Sequence, residues 1–449
     1  ERHEYTDIHQ VLASVPGVYL RGEDGFGLRP NIGLRGGNSD RSAKITLMED
    51  GIVLSPAPYA APAAYYFPLT QRLVGVEVIK GAAAIRHGPQ TIGGAVNLLT
   101  RRVPGETIAA LDTAYGLMNT VKAHAYSGTG GDQWGVLAEI AHLSSDGFKS
   151  LDGGGSTGFG RQDAMLKARV GTSKSASIFQ DVELKLSYGQ EHSDETYLGL
   201  SADDFAATPN RRYAASRGDV MDWARTQESL TWRVLAGSDI DVRTVLYHQH
   251  LSRAWTKLNR FSGGPSLHDL LYQGASGGQA EVYMAILEGE EDSTNADQLL
   301  MRGTNDRDFH SYGAQSLAHL RSDWGAVANE VELGVRYHID QVKRLHTESP
   351  FNMEAGRPVA ADGDTLTNLN SHNSAHALAV HLHDDLSVGN FRLLPGLRYE
   401  RITTATGSQD NGPTDPQTHQ IVLPGIGVYL TPLDSVGLLA GAHRGFSPI

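Results

Sequence analysis

From about residue 105 onward the chain repeats one pattern, short runs in which apolar and polar residues alternate between turn-forming positions. Val182, Leu184, Leu186 and Tyr188 fall on one face of such a run, and Glu183, Lys185, Ser187 and Glu191 on the other. Val331, Leu333, Val335, Tyr337 and Ile339 likewise oppose Glu330, Glu332, Arg336, His338 and Asp340. A period of two predicts strands with one apolar face. Thirteen are predicted, over residues 107–117, 120–129, 133–143, 162–171, 181–191, 224–236, 239–251, 310–321, 327–340, 374–387, 390–402, 419–431 and 434–443. Alternation alone suits a soluble sandwich as well as a membrane barrel, because both carry one apolar face.

The links between strands separate these two. After even-numbered strands they are short (130–132, 237–238, 322–326, 388–389 and 432–434), with a looser one after the fourth. After odd-numbered strands they are long (144–161, 192–223, 252–309, 341–373 and 403–418), the first excepted. Short turns on one side and long loops on the other is the arrangement of an outer-membrane barrel. Tyr188, Tyr337 and Tyr399 stand on apolar faces near long-loop ends, and Trp134 opens the third strand at the opposite rim. Such residues predict girdles at the two headgroup levels, although the β-propensity of aromatics would also place them in strands.

The first hundred residues read differently. Ile8, Val11, Leu12 and Val15 recur at helical spacing and stop at Pro16-Gly17, and short β-rich runs follow at 45–48, 74–79 and 96–100. This predicts a compact α+β unit.

Composition bounds the function. The 449 residues hold no run of about 18 apolar positions that would make a membrane helix. A barrel strand exposes only alternate residues to lipid, so that absence leaves a barrel open. A net charge of −13 speaks against a nucleic-acid partner, which requires a basic face. The chain has no cysteine, which suits passage through an oxidising compartment. Gly88 to Ala95 loosely follows a phosphate loop but lacks a lysine before Ser or Thr, and neither a His-Glu-x-x-His nor a serine elbow occurs. No enzyme is expected. Glu1 follows no signal segment, so any export signal is expected to lie outside this sequence.

Four ordered motifs then carry a resemblance: Val15-Pro16-Gly17-Val18; Asn31-Ile32-Gly33-Leu34-Arg35-Gly36; Leu47-Met48-Glu49-Asp50-Gly51-Ile52; and Val76-Glu77-Val78-Ile79-Lys80-Gly81 running on through Gly93-Gly94-Ala95-Val96-Asn97. Together they resemble the plug domain of TonB-dependent outer-membrane receptors, and Ala57-Pro58-Tyr59 is similar to the ferric dicitrate branch. The resemblance implies a mainly β protein, with an α+β plug (1–103) inside a 22-stranded antiparallel transmembrane barrel. Residues 104–449 would supply its N-terminal part, with about nine strands outside this sequence. It further implies active import of a ferric chelate across the outer membrane of a Gram-negative bacterium. The expected partners are TonB with its inner-membrane energising proteins, the outer-membrane lipid and lipopolysaccharide. The ferric chelate is a transported ligand, with no resident cofactor. Import of zinc or another non-iron nutrient, and a transporter that also signals occupancy inward, stay open; a passive porin is disfavoured by the plug.

Several residues are candidates for the site. Pro58, Tyr59, Tyr65 and Tyr66 lie in a proline-stiffened loop that the resemblance points into the extracellular funnel. Arg21 and Arg29 flank a glycine-rich loop and could grip carboxylates. Arg35 and Lys80 stand where the resemblance implies a lock between plug and barrel, to glutamates expected in the absent strands. His381 and His383 form a His-x-His on a lumen-facing strand, a weak metal candidate beside ordinary plug–barrel hydrogen bonding. The 252–309 segment carries nine acids against five Lys or Arg and reads as a solvated loop.

Overall fold

A computed structural model describes residues 5–54, 56–273 and 277–448. The N-terminal unit opens with helix α1 (Ile8–Leu12), whose N-cap Asp7 accepts a hydrogen bond from the His9 amide at 2.7 Å. Strand β1 (Val18–Leu20) pairs antiparallel with β2 (Ile32–Leu34). A second sheet holds β3 (Thr46–Glu49), β4 (Ile52–Val53), β5 (Leu73–Ile79) and β6 (Ala95–Thr100) in the order β4-β3-β6-β5, with β3 and β6 parallel. The glycine pair before β6 has a steric cause. A Cβ on Gly94 would lie 2.4 Å from the Ile79 carbonyl oxygen, and its φ of +139° is one that L side chains rarely adopt.

Around this unit wraps one antiparallel sheet. Its strands are β7 (Ile108–Gly116), β8 (Thr120–Gly130), β9 (Trp134–Ser145), β11 (Phe159–Gly171), β12 (Ile178–Ser193), β14 (Val220–Ala236), β15 (Ile240–Phe261), β16 (Leu300–Trp324), β17 (Val327–Glu354), β19 (Leu366–Val388), β20 (Phe391–Ser408), β21 (Gly412–Leu433) and β22 (Val436–His443). The short β10 (Ser150–Leu151) and β13 (Arg211–Arg212) pair with each other, and β18 (Arg357–Ala360) folds back on β17. All thirteen predicted strands are present, paired with their sequence neighbours. β7 and β22 are the two ends of the sheet.

The sheet is apolar outside and polar inside. Leu333 and Tyr337 are 44% and 46% exposed, whereas His338 and Asp340, on the other face of β17, are 0% exposed. A soluble core would bury the apolar face; here the polar face is buried against the plug and the apolar one is left for lipid. Trp134, Trp232, Trp324 and Phe391 lie exposed near short-turn ends, and Tyr188, Tyr312 and Tyr337 further up the wall, as two aromatic girdles require.

Two predicted loops, 341–373 and 403–418, are largely strand. β16 and β17 stay in register from Leu300↔Phe351 to Trp324↔Val327. Above the membrane both faces of a strand meet water, so the ladder continues while the alternation that reveals it disappears. The 252–309 segment is shortened in the same way to 262–299, and carries α3 (Leu267–Gln273) and α4 (Gln279–Glu288). With the 194–219 segment, which includes α2 (Ala202–Ala207), it forms an outer layer with its own core of Tyr213, Leu258, Phe261, Tyr283, Ile286 and Leu287.

Candidate functional site

The tight turn between β3 and β4 joins plug and wall through buried charges. Its Asp-Gly pair puts two carboxylates, Glu49 and Asp50, at the tip of a hairpin. Lys185 of β12 reaches both at 2.6 Å, and Lys167 of β11 reaches Asp50 at 3.5 Å. Arg72, from the plug segment before β5, binds Glu49 at 3.1 Å, lies 3.6 Å from Asp163 of β11, and donates to the Tyr66 hydroxyl at 3.1 Å. Three carboxylates thus meet three cations in a dry interior. Burial alone would raise the Glu49 carboxyl, but Arg72 and Lys185 hold it down to about 2. Asp50 is also held far below the usual carboxylate range: burial opposes its ionisation, and Lys185 and Lys167 more than compensate. The Asp50 and Gly51 carbonyls accept from Arg243 (3.0 Å) and Gln315 (3.1 Å) of the wall. Sequence reading singled out this motif but missed its role. The inward-facing Lys167 and Lys185, facing an acidic hairpin tip, were the available signal.

The proline-rich loop is pinned to the wall by Asp340 of β17, which accepts from the Tyr59 and Ala60 amides (2.7 and 3.2 Å) and from Ser311. Pro58 is buried, and its carbonyl accepts from Gln90. Tyr59 and Tyr66 are placed differently from the expectation, at 1% and 2% exposure. Tyr59 packs on His338 and accepts from Arg336 at 2.9 Å, while Tyr66 sits edge-on to Trp223. Both are wedges between plug and wall, because an aromatic in an Ala/Pro loop finds its apolar partner there. Arg29 is also buried, bonded to Glu191 (2.5 Å) and Glu195 (2.9 Å), so it moors the plug instead of offering a free guanidinium. Arg21 is exposed and paired with Asp40 at 2.7 Å.

Tyr65 alone of the loop tyrosines is partly open, and it stands in a basic recess that sequence reading missed. Arg253 on β15, Arg307 on β16 and Arg344 on β17 are direct cross-strand partners, Arg253↔Arg307 and Arg307↔Arg344, so all three leave the same inner face. Like charges directly opposite are destabilising in a ladder. Among the described residues none of the three has a carboxylate within ion-pair distance, and the Nε atoms of all three, with Nε2 of neighbouring His346, are buried without a hydrogen-bond partner. The Tyr65 ring lies against two of the three, Arg253 and Arg307. The Arg253 guanidinium lies 4.2 Å from its centroid, those of Arg41 and Arg307 at 5.8 and 5.9 Å. Arg344 stands seven residues beyond Tyr337 toward the long-loop end, so it sits about 18 Å above the girdle at ~3.3 Å per residue and ~40° tilt.

The remaining candidates lie elsewhere. Arg35 and Lys80 are exposed; Lys80 donates to the Pro16 carbonyl at 2.6 Å, and neither meets a wall carboxylate among the described residues. His381 binds Glu332 at 2.9 Å, whose other oxygen takes Arg86 of the plug at 3.1 Å, and His383 is buried on the same strand. His381 is thus engaged in plug–barrel bonding.

A plug moored inside a sheet that is apolar outward defines an outer-membrane receptor of the plugged-barrel class. Residues 1–95 match the TonB-dependent receptor plug domain, and residues 170–449, more than half of the chain, match the TonB-dependent receptor-like β-barrel. The chain belongs to the TonB-dependent receptor family, whose members are receptors and transporters, not enzymes. The ferric citrate transporter FecA in its unliganded form has the same fold, with a TM-score of 0.74 at 20% identity over 99% of this chain and 61% of its own. The siderophore receptor PiuA from Acinetobacter baumannii gives a TM-score of 0.70 at 13% identity over 98% of this chain and 62% of its own. The metal-pseudopaline receptor CntO of Pseudomonas aeruginosa is 23% identical over 83% of this chain and 50% of its own length. The chain therefore spans about half to three-fifths of these relatives.

Proposed function

We propose that the complete receptor imports an anionic, carboxylate-bearing metal chelate across the outer membrane, energised through TonB and its inner-membrane partners. The observation that carries this is the row Arg253–Arg307–Arg344 beside Tyr65. Three cations without counter-charges are costly to assemble, and a ligand with several carboxylates would repay that cost with bidentate, charge-assisted hydrogen bonds. The plug loop supplies the aromatic floor through Tyr65, with Arg21 at the exposed rim. Relatives named for ferric citrate and for a metal–pseudopaline complex support a chelate as the cargo. Iron is the proposed metal; a chelate of zinc or another non-iron metal is the second reading, favoured by the latter relative, which is named for a metal–pseudopaline complex. Arg35 and Lys80 keep their proposed lock role toward strands beyond β22.

The test is a fluorescence titration of the full-length receptor in detergent with ferric dicitrate and, in parallel, with a neutral ferric tris-hydroxamate. Saturable quenching by ferric dicitrate, weakened about 10- to 100-fold by Arg307→Ala as expected for a lost charged hydrogen bond, supports the reading. Equal affinity of wild type and the Arg253/Arg307/Arg344 triple alanine variant, or preference for the neutral chelate, refutes it.

A further inference from the structure

A second cluster lies on the opposite side of the same wall. On β15, Tyr247, Gln249, Leu251 and Arg253 are buried toward the plug, so His248 and His250 point outward. On β16, Phe309 and Ser311 are buried inward, so Asp308, His310 and Tyr312 point outward. His250 and His310 are direct ladder partners with rings stacked at 4.4 Å. Asp308 lies between them, one oxygen 2.7 Å from His250 Nε2 and the other 3.3 Å from His310 Nε2. One donor atom from each of the three residues lies within 4.8 Å of the others.

We propose that His250, Asp308 and His310 form a divalent transition-metal site of the zinc class on the outer wall of the barrel. Bonds of ~2.0–2.1 Å at tetrahedral angles set donor atoms about 3.3 Å apart, so small side-chain movements bring this trio onto an ion. Two imidazoles and one carboxylate favour zinc, nickel or copper over the oxygen-seeking magnesium and calcium. The surroundings are those of a metal-ligand histidine. His310 meets His248 Nε2 through Nδ1 at 3.2 Å, and His248 Nδ1 meets Glu228 at 2.8 Å. A relay that ends in a carboxylate fixes the ring of a ligand and raises its basicity. Tyr312 stacks on His248 at 4.6 Å and holds it in place.

The position separates this site from any cargo path. All three ligands face away from the plug, at the level of the outer girdle marked by Tyr312 and above the lipid-facing Leu246. Each side chain is about a third exposed, so an ion arrives from the medium and its remaining coordination positions open toward the outer-leaflet headgroups. A bound ion would tie β15 to β16.

The full-length receptor, stripped of metal with a chelator and held in detergent, is titrated with Zn2+ alone, and in parallel with Co2+ to read ligand-field absorption. Wild type should take up one equivalent that the double variant His250→Gln/His310→Gln does not. Asp308→Asn should weaken this site about tenfold or more, and His248→Gln, a positioning change, by about 10- to 100-fold. Heat-modifiable electrophoretic mobility checks that each variant is folded, and ferric dicitrate binding, which uses the opposite face, should not change. Indistinguishable zinc titrations of wild type and the double variant would overturn the proposal, as would displacement of zinc by an equal concentration of Mg2+ or Ca2+.

Discussion

Replacing Lys185 with methionine removes one cation from the network that holds the β3–β4 hairpin and leaves the volume nearly unchanged. Lys185 is 3% exposed and Glu49 0%, so water does not take the lost partner's place. Breaking a buried pair from one side costs ~3–5 kcal/mol. Proton linkage gives the scale for the whole network: Arg72 and Lys185 together lower Glu49 from 4.5 to about 2, which corresponds to roughly 3 kcal/mol, of which Lys185 supplies a part. The sign follows from the depressed folded value. The stabilisation is fully present above pH ~4.5 and is lost as pH falls toward 2. The assay is hydrogen exchange of β3 and β6 amides in the full-length receptor across a urea series. With a slope of ~1.5 kcal/mol per molar, Lys185→Met should lower the plug midpoint by about 2–3 M at pH 7. Lys185→Arg should recover much of the loss, and the Lys185→Met deficit should shrink at pH 3. A midpoint within 0.3 M of wild type at pH 7 would refute the claim that this network moors the plug.

Two further outcomes follow from the same contacts. Asp340→Ala strips the Tyr59 and Ala60 amides of their acceptor, a loss of ~1.5–3 kcal/mol for a charged hydrogen bond; amide protection in residues 57–61 should fall at least tenfold while β16 and β17 amides hold. Gly94→Ala drives a Cβ against the Ile79 carbonyl oxygen, so the plug's urea midpoint should drop well below that of Gly81→Ala, where a Cβ meets open space and only the positive φ costs ~1 kcal/mol.

The barrel was legible in the sequence because lipid exposure imposes a rule on every second residue. Leu333, Val335 and Tyr337 announce their face without knowledge of any neighbour. That rule ends where the lipid ends, and so the upper halves of β16, β17 and β19 read as loop. The plug was legible through its motifs, but their contacts were not. Glu49 and Asp50 in an Asp-Gly turn read as a solvated hairpin tip, and only the position of Lys185 and Lys167 on the surrounding wall makes them a mooring. Tyr59 and Tyr66 read as available for ligand for the same reason, since the wall that buries them comes from strands far along the chain. Arg253, Arg307 and Arg344 are scattered in sequence. They become one row only through the β15–β16 and β16–β17 registers, which depend on where each strand continues above the membrane.

How the plug is held bears on how it could be moved. Its moorings are of two kinds. The packing of Tyr66 with Trp223, and of Tyr59 with Ala375, Ala377 and Ile402, resists separation whether or not water is present, whereas the Glu49–Arg72–Lys185 group is strong only while dry. Once water enters, exposed ion pairs contribute ~0–1 kcal/mol each, so hydrating the hairpin tip removes most of what binds it to β11 and β12. On the proposed import function, a pull on the plug would need to open only a narrow wet seam along these charges. The Tyr59 wedge, seated against Ala375, Ala377 and Ile402 away from these charges, could then stay in place as a hinge. Lysine to methionine substitutions at 167 and 185, together with Glu49→Gln and Asp50→Asn, would remove the carboxylates along with their cations, keep Arg72 beside Asp163, and leave a seam with little charge to wet. Such a plug should be stable in urea yet transport poorly; unimpaired uptake by the variant would mean that the seam lies elsewhere.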